Sequence, residues 1–471
     1  MYSDLKAAVN LGGHLTEWFG ISGGVRQGDN LAPTLFAMFI NSLTNEINQL
    51  NEGITIDNGR LNLSILLFAD DIVLISETET GLQRQLNALH NWVKKNRMAC
   101  NMDKTKIVHF RNKNKDQTNF NFKLGAEPIS KASNYKYLGL TLDEFLDFGF
   151  TTDILATSGS RALGALTSKY FSAKGLLYKT YAKLYRSTVI PVLNYAAPIW
   201  GIKKYHSHEL IQQRAMRTFL GVGKKTPIPG LYGEMGWRTL NHQVKLDTIK
   251  YWLRLYNMEN SRIPKQIFMW DYRRSLLGKK SWNKNVKEIF TSLNMRDTFY
   301  GVGIEQQRLV TQEVETNLVK EEITNLQEEI KKMPKLRTYR IVKQNYETEP
   351  YLKLHMNRYR RSLVTKIRLG VLPINIELGR RKKQKLEERT CPSCPDQIED
   401  ETHFLLTCPL YNDNRLRLFN VFEEKTSINL NDLPLSDALF ALLNLTVTIN
   451  SVAKFIEESL QDRERFRNNN R

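Results

Sequence analysis

Apolar residues recur every third or fourth position in two stretches near the start of the chain. The first holds Leu31, Leu35, Phe39, Leu43, Ile47 and Leu50; the second holds Leu82, Leu86, Leu89 and Val93. That spacing is the period of an amphipathic helix. Asn30 stands where a side chain can cap the first helix, and Pro33 falls in its first turn, where a missing N–H is tolerated. Between the two helices, LNLSILLFADDIVLISE carries the apolar runs Ile65–Phe68 and 72–75 on either side of a short acidic break. The pattern predicts a β-hairpin with carboxylates at its tip. KIVHF (106–110) and YKYLGLTLD (135–143) are further strand candidates, whereas the LKAAV that follows Asp4 has a helical look. Residues 1–150 thus mix strand and helix, an α+β pattern.

Residues 151–260 read as mainly helical. Lys169, Lys174, Lys179, Lys183 and Arg186 are interleaved there with Tyr170, Tyr178, Tyr181 and Tyr185, and GVGKKTPIPG (221–230) breaks the block. Helical spacing places Tyr181 and Tyr185 in the core and leaves Lys174, Lys179 and Lys183 for phosphate contacts. Residues 261–385 form a charge-dense, mainly helical connector with a long polar helix expected around 313–332. A cysteine-rich stretch (386–415) follows. The remainder, 416–471, has helical periodicity from Leu430 and ends in DRERFRNNNR, which is expected to fray.

Composition narrows the class. The chain has 471 residues with 68 Lys+Arg against 49 Asp+Glu, a net charge of +19. With 21 Phe, 19 Tyr and 7 Trp it can build cores, which excludes wholesale disorder. Four cysteines are too few for a disulfide scaffold. No window approaches the roughly 18–20 uninterrupted apolar residues of a membrane span, and MYSDLKAAVN lacks the pattern of a signal peptide. The expectation is an intracellular, soluble protein with no membrane partner. The surplus of positive charge fits a polyanion, most simply nucleic acid, although merely soluble proteins can also be basic.

Two clusters carry candidate chemistry. Asp70 and Asp71 are adjacent carboxylates that repel one another unless a cation neutralises them. Hard oxygen ligands of this kind suit Mg²⁺, and paired ions serve in-line phosphoryl transfer. In isolation Asp-Asp reads first as a turn dipeptide. Upstream, in GVRQGDNLAPTLF (24–36), Gly24 and Gly28 allow close backbone approach, while Arg26 and Gln27 supply donors beside a helix N-terminus, a place that can hold a phosphate or a base edge. The second cluster is Cys391-x₂-Cys394-x₈-His403-x₄-Cys408. Cys-x₂-Cys at a turn, with a His and a Cys about one helical turn apart, suits tetrahedral Zn²⁺ at a closed structural site. A chance grouping of buried cysteines is the other reading. Pro392, Pro395 and Pro409 favour turns around these ligands, and remote Cys100 reads as a small buried hydrophobe. Arg380, Arg381, Lys382 and Lys383 lead into the cluster; they read as a nucleic-acid contact, a solvated face or a nuclear import signal.

In their order, GVRQG…P, FADD, the N-x-x-K-T-K of CNMDKTKIVHF (100–110) and YKYLGL resemble the reverse transcriptases of non-long-terminal-repeat (LINE-like) retrotransposons. YRSTVIPVLNYAAPIWG (185–201), QQRAMRTFLGVGK (212–224) and CPSC…HFLLTCP extend the resemblance over about 4–260 and 355–465. The family fold implies a partial right-hand polymerase: the later palm over 1–150, a helical thumb and post-thumb over 151–260, and, after the connector, a zinc knuckle. By the same resemblance Asp70, with Asp71 beside it, would bind catalytic Mg²⁺. Arg26, Gln27 and Gly28 would shape the pocket for template base and incoming nucleotide. Lys104 would sit near the triphosphate, although Lys104 and Lys106 can equally be solvated lysines flanking a strand. Leu138 and Gly139 would form the turn that grips the primer end. RNA template, DNA primer or target and deoxynucleoside triphosphates are the implied partners, with the nucleus as the place of work and the cytoplasm that of synthesis.

The family also places a third metal-binding Asp on a strand well before GVRQG. Neither Asp4 nor Glu17 supplies it. The sequence therefore reads as N-terminally truncated and poor at polymerisation on its own. The alternatives are a catalytically inactive nucleic-acid-binding remnant and, third, a domesticated structural protein.

Overall fold

A computed structural model describes residues 5–21, 23–26 and 28–469, and the chain divides into two compact units, Met1–Asp147 and Phe148–Arg471.

In the first unit the helix Ala32–Gln49 buries Ile40, Leu43 and Ile47. They pack with Leu86, Leu89 and Trp92 of the helix Glu79–Lys95 and with Ile65, Ile107 and Phe122. The indole of Trp92 donates to Ser42 Oγ at 2.8 Å across this helix pair. Thr78 caps the second helix by accepting from the Gly81 amide, and Lys94 and Lys95 in its last turn complement the dipole. The first helix starts differently from the expectation. Its cap position is Leu31, and Asp29 Oδ1 rather than Asn30 takes a backbone amide there, from Leu31 at 3.0 Å. Pro33 lies in the first turn as predicted.

Among the described residues the strands form six two-stranded antiparallel ladders. The expected hairpin is present as Ile65–Phe68 paired with Asp71–Leu74, one residue earlier than the run 72–75, with Phe68 opposite Asp71. Asn134–Tyr137 pairs with Leu140–Asp143, with Leu138 and Gly139 both at positive φ in the turn. Two expectations need correction. LKAAV is not helical: Leu5–Ala7 is a strand paired with Phe19–Ile21. Five residues running into Asn10, Gly12 and Gly13 are too few to repay helix nucleation, so the cross-strand ladder wins. KIVHF is reduced to a single bridge, Ile107 to Lys131.

The second unit is helical and holds two cores. The larger runs from Ala156 to Ile456 and includes Cys391 and Cys408; the smaller joins Leu246, Trp252, Phe268, Phe290 and Phe299 to the helix Gln307–Lys332. Segments 386–415 and 416–471 therefore share a core with the helices before them. Tyr170, Tyr178, Tyr181 and Tyr185 are buried, and Tyr185 stacks on Trp237 at 4.6 Å. The polar helix begins earlier than periodicity suggests because Val310, Val314 and Leu318 form a narrow apolar stripe. Of the stretch expected to fray, the described part is helical: the helix Ile449–Asn469 continues because Arg463 forms a two-pronged ion pair with buried Glu399, both contacts 2.6 Å. Among the described residues no single helix is long and apolar enough to cross a membrane.

Candidate functional site

The apolar strands 65–68 and 71–74 bury Ile65 and Ser64 and lift their connecting residues, Ala69 and Asp70, into solvent. Ala69 sits in the left-handed region at φ 52°, which costs a non-glycine residue roughly 1–2 kcal/mol. Asp70 and Asp71 are both exposed. They stand on the wall of a cleft of about 550 Å³, with Lys104, Cys100, Tyr135 and Tyr137 among its other lining residues.

Lys104 reaches the cleft through a turn that Asn101 builds. The Asn101 side chain accepts the Lys104 amide at 3.1 Å, and its carbonyl accepts Thr105 Oγ1 at 2.8 Å. This is the local reason for the N-x-x-K-T spacing. Lys106 donates to Ser130 Oγ at 2.8 Å. Tyr137 was not singled out from sequence. It faces the carboxylates, and its phenol is pushed up by burial and then by the Asp71 charge. Period-two alternation along 135–137 is the signal that puts both tyrosines on one face. Cys100 is half-buried, and burial pushes its thiol up. Arg26 and Gly28 are not among the residues lining this cleft. Gly28 adopts φ +87°, and Gln27 lies outside the described residues.

In the second unit Lys179 and Lys183 are exposed on the helix Tyr178–Leu184, whose other face buries Tyr178 and Tyr181. Lys174 is exposed in the preceding loop. The basic run is less uniform. Arg380 and Arg381 each lie 3.6 Å from buried Glu377, which also takes Lys335 at 3.0 Å. Lys382 and Lys383 are exposed.

The ligand atoms of Cys391, Cys394, His403 and Cys408 all lie within 4.8 Å of one another. A turn supplies the first two, since the Cys394 amide donates to the Cys391 carbonyl at 3.2 Å. The other two need a special geometry. Five residues of α-helix would rotate Cys408 about 140° from the face of His403. Residues His403–Thr407 instead form a π turn, with the Cys408 amide donating to the His403 carbonyl at 2.9 Å, which brings the pair back together. Arg415 holds that end by donating to the carbonyls of Leu405 at 3.0 Å and Cys408 at 2.6 Å.

The donor set fits a metal ion. The Sγ atoms of Cys391 and Cys408 are 3.7 Å apart; a tetrahedral ion with metal–sulfur distances of about 2.3 Å sets an edge of about 3.8 Å. His403 Nε2 is buried and has no hydrogen-bond partner among the described residues, while Thr407 Oγ1 sits 3.1 Å from Nδ1. A proton on Nδ1 donated to Thr407 leaves the Nε2 lone pair for a metal. A hydrogen bond from Cys408 holds the Cys391 thiol down to about 4 against its burial, and the same bond pushes the Cys408 thiol up. A cation bound here would displace the thiol protons.

Residues 3–142 match the family of reverse transcriptases (RNA-dependent DNA polymerases). The RNA-directed DNA polymerase from mobile element jockey of Drosophila funebris is 27% identical over 212 residues, which cover 43% of this chain and 22% of that protein. A probable RNA-directed DNA polymerase from transposon BS of Drosophila melanogaster is 27% identical over 241 residues, 49% of this chain and 26% of that protein. The retrovirus-related Pol polyprotein from type-1 retrotransposable element R2 of Nasonia vitripennis is 27% identical over 153 residues, 31% of this chain and 15% of that protein. The chain therefore spans about a quarter or less of the length of these relatives.

Proposed function

We propose that this chain is the later palm, thumb and C-terminal part of an RNA-directed DNA polymerase of a LINE-like retrotransposon, adding deoxynucleotides to a primer 3′-hydroxyl on an RNA template. The observation that carries the reading is the exposed Asp70–Asp71 pair on the wall of a cleft that Lys104 also lines. Asp70 and Asp71 would hold Mg²⁺, which when bound lowers the pKa of the attacking hydroxyl and screens the triphosphate. Lys104 would offset charge on the phosphates, and the turn at Leu138 and Gly139 would support the primer end. Arg26, Gln27 and Gly28 keep their proposed place at the template base and incoming nucleotide. Lys174, Lys179, Lys183, Arg381, Lys382 and Lys383 would track nucleic-acid backbone, with Arg380 bridging that run to Glu377. Cys391, Cys394, His403 and Cys408 would hold one structural Zn²⁺. Work on a DNA target would place the protein in the nucleus.

One observation favours a second reading. Asp70 and Asp71 are the only acidic residues lining the cleft among the described residues, and a two-ion centre asks for more ligands. The second reading is a nucleic-acid-binding remnant without polymerase activity. Primer extension by residues 1–471 on an RNA template, with Mg²⁺ or Mn²⁺, separates the two. Extension abolished by Asp70→Asn supports the polymerase. Tight template–primer binding without extension supports the remnant.

A further inference from the structure

Residues 262–303, inside the charged connector, hold nine Lys and Arg against three Asp and Glu. Asp271 is turned inward, accepting from the amide and side chain of Asn283 at 2.8 and 2.9 Å. Lys265 is buried as well, which leaves eight basic residues against Glu288 and Asp297 along this segment. On it stands Tyr300, 42% exposed. Its neighbour Phe299 is fully buried, and the Phe299 carbonyl accepts Tyr272 Oη at 3.0 Å. The Tyr300 amide donates to the Asp297 carbonyl at 3.0 Å, and Val302 donates to the same carbonyl at 3.1 Å. The phenol is thus presented outward from a fixed backbone.

Two cations converge on it. Lys287 Nζ lies 5.2 Å from the Tyr300 ring centroid and Arg296 Cζ 5.9 Å. Neither Lys287 nor Arg296 forms an ion pair among the described residues. The two cations beside the phenol, Lys287 before Arg296, hold Tyr300 below the usual tyrosine range. An ammonium and a guanidinium thus stand beside a partly exposed aromatic ring.

We infer that Tyr300, Lys287 and Arg296 form a binding site for a single-stranded nucleic-acid segment, the two cations and the phenol taking a phosphate while the ring stacks on an adjacent base. Cation plus exposed aromatic is the combination that tracks single strands, because a duplex hides its base faces from a side chain of this kind. The site belongs to the second unit and the Asp70 cleft to the first, and binding at it does not depend on polymerase activity.

The test uses the full chain and photo-crosslinking to a 12-mer RNA carrying one 4-thiouridine, with the matching DNA 12-mer carrying 4-thiothymidine, followed by peptide mapping. Equilibrium titrations over several salt concentrations accompany it, with a duplex and heparin as controls. A crosslink on the peptide containing Tyr300 is expected. Tyr300→Ala should weaken single-strand binding about tenfold, while Tyr300→Phe retains most of it. Lys287→Gln with Arg296→Gln should reduce the salt slope by about 0.7, one phosphate's worth on a single strand. Whichever of RNA and DNA binds more tightly names the source of the strand. Single-strand affinity within twofold of wild type in Tyr300→Ala, with crosslinks only elsewhere, overturns the inference. So does equal loss of oligonucleotide, duplex and heparin binding in the double variant with no effect of Tyr300→Ala. Neither outcome touches primer extension, which tests the polymerase reading by itself.

Discussion

Arg368 donates to Glu234 Oε1 at 2.9 Å with both side chains wholly excluded from solvent. Around this pair, Arg368 also lies 2.5 Å from Glu349 Oε2 and donates to the Leu443 carbonyl at 2.7 Å, and Lys343 meets Glu349 at 2.5 Å. Two carboxylates and two cations balance, and they tie the helices Ile228–Met235, Arg358–Arg368 and Leu435–Asn444 together. Arg368→Met removes the shared cation and leaves two buried carboxylates with only Lys343. It is expected to destabilise the second unit by about 3–5 kcal/mol, read as a lowered midpoint in urea unfolding. A change under 1 kcal/mol would show that the carboxylates are neutral in the folded chain.

In the proposed zinc site Thr407 would position His403 without being a ligand itself. Thr407→Val deletes the partner of Nδ1 while keeping shape. Zinc affinity, measured by competition against a chromogenic chelator, is expected to fall about tenfold, with one zinc still bound per chain. Unchanged affinity would mean that His403 coordinates through the other nitrogen or not at all. Because Cys391 and Cys408 belong to the main core, complete chelation should loosen the whole second unit rather than a detached knuckle, visible as broad loss of amide-exchange protection.

Asp70 and Asp71 are adjacent, exposed carboxylates, so Asp70→Asn should leave stability within about 0.5 kcal/mol of wild type. Mn²⁺ binding to the first unit, followed by paramagnetic relaxation, should nevertheless be lost. Retained binding in Asp70→Asn would remove the hairpin from the metal site.

Burial pushes the Glu322 carboxyl up, but the close contact with His242 and the hydrogen bond from the Thr239 amide outweigh it, and the net effect holds Glu322 below the ordinary glutamate value of 4.5. His242 Nδ1 lies 3.1 Å and Arg238 Nε 4.0 Å from its oxygen. A depressed carboxyl contributes stability that is full above the unfolded value and is lost as pH falls through the folded one. Urea midpoints should therefore drop below about pH 4.5, and Glu322→Gln should flatten that acid limb while lowering stability at pH 7. Parallel acid limbs in the two proteins would contradict the assignment.

The hairpin at 65–74, the two helices that flank it and the burial of Tyr181 and Tyr185 follow from periodicity alone, because each buries one face through contacts that a repeat of two or 3.6 residues already orders. The Cys/His spacing likewise declares a ligand set, since those side chains converge through short turns. Tertiary structure decided where that logic ran out. Leu5–Ala7 became a strand only because Phe19–Ile21 returns beside it. Residues 463–469 stay helical because Glu399, buried some sixty residues away in sequence, needs Arg463. The π turn that joins His403 to Cys408 departs from the helix that spacing suggests, and Tyr137 meets Asp71 only once two separate hairpins share a cleft. Local patterns report which face a residue shows. Pairing between distant segments, above all of buried charge, is set by a free energy that no short window of sequence contains.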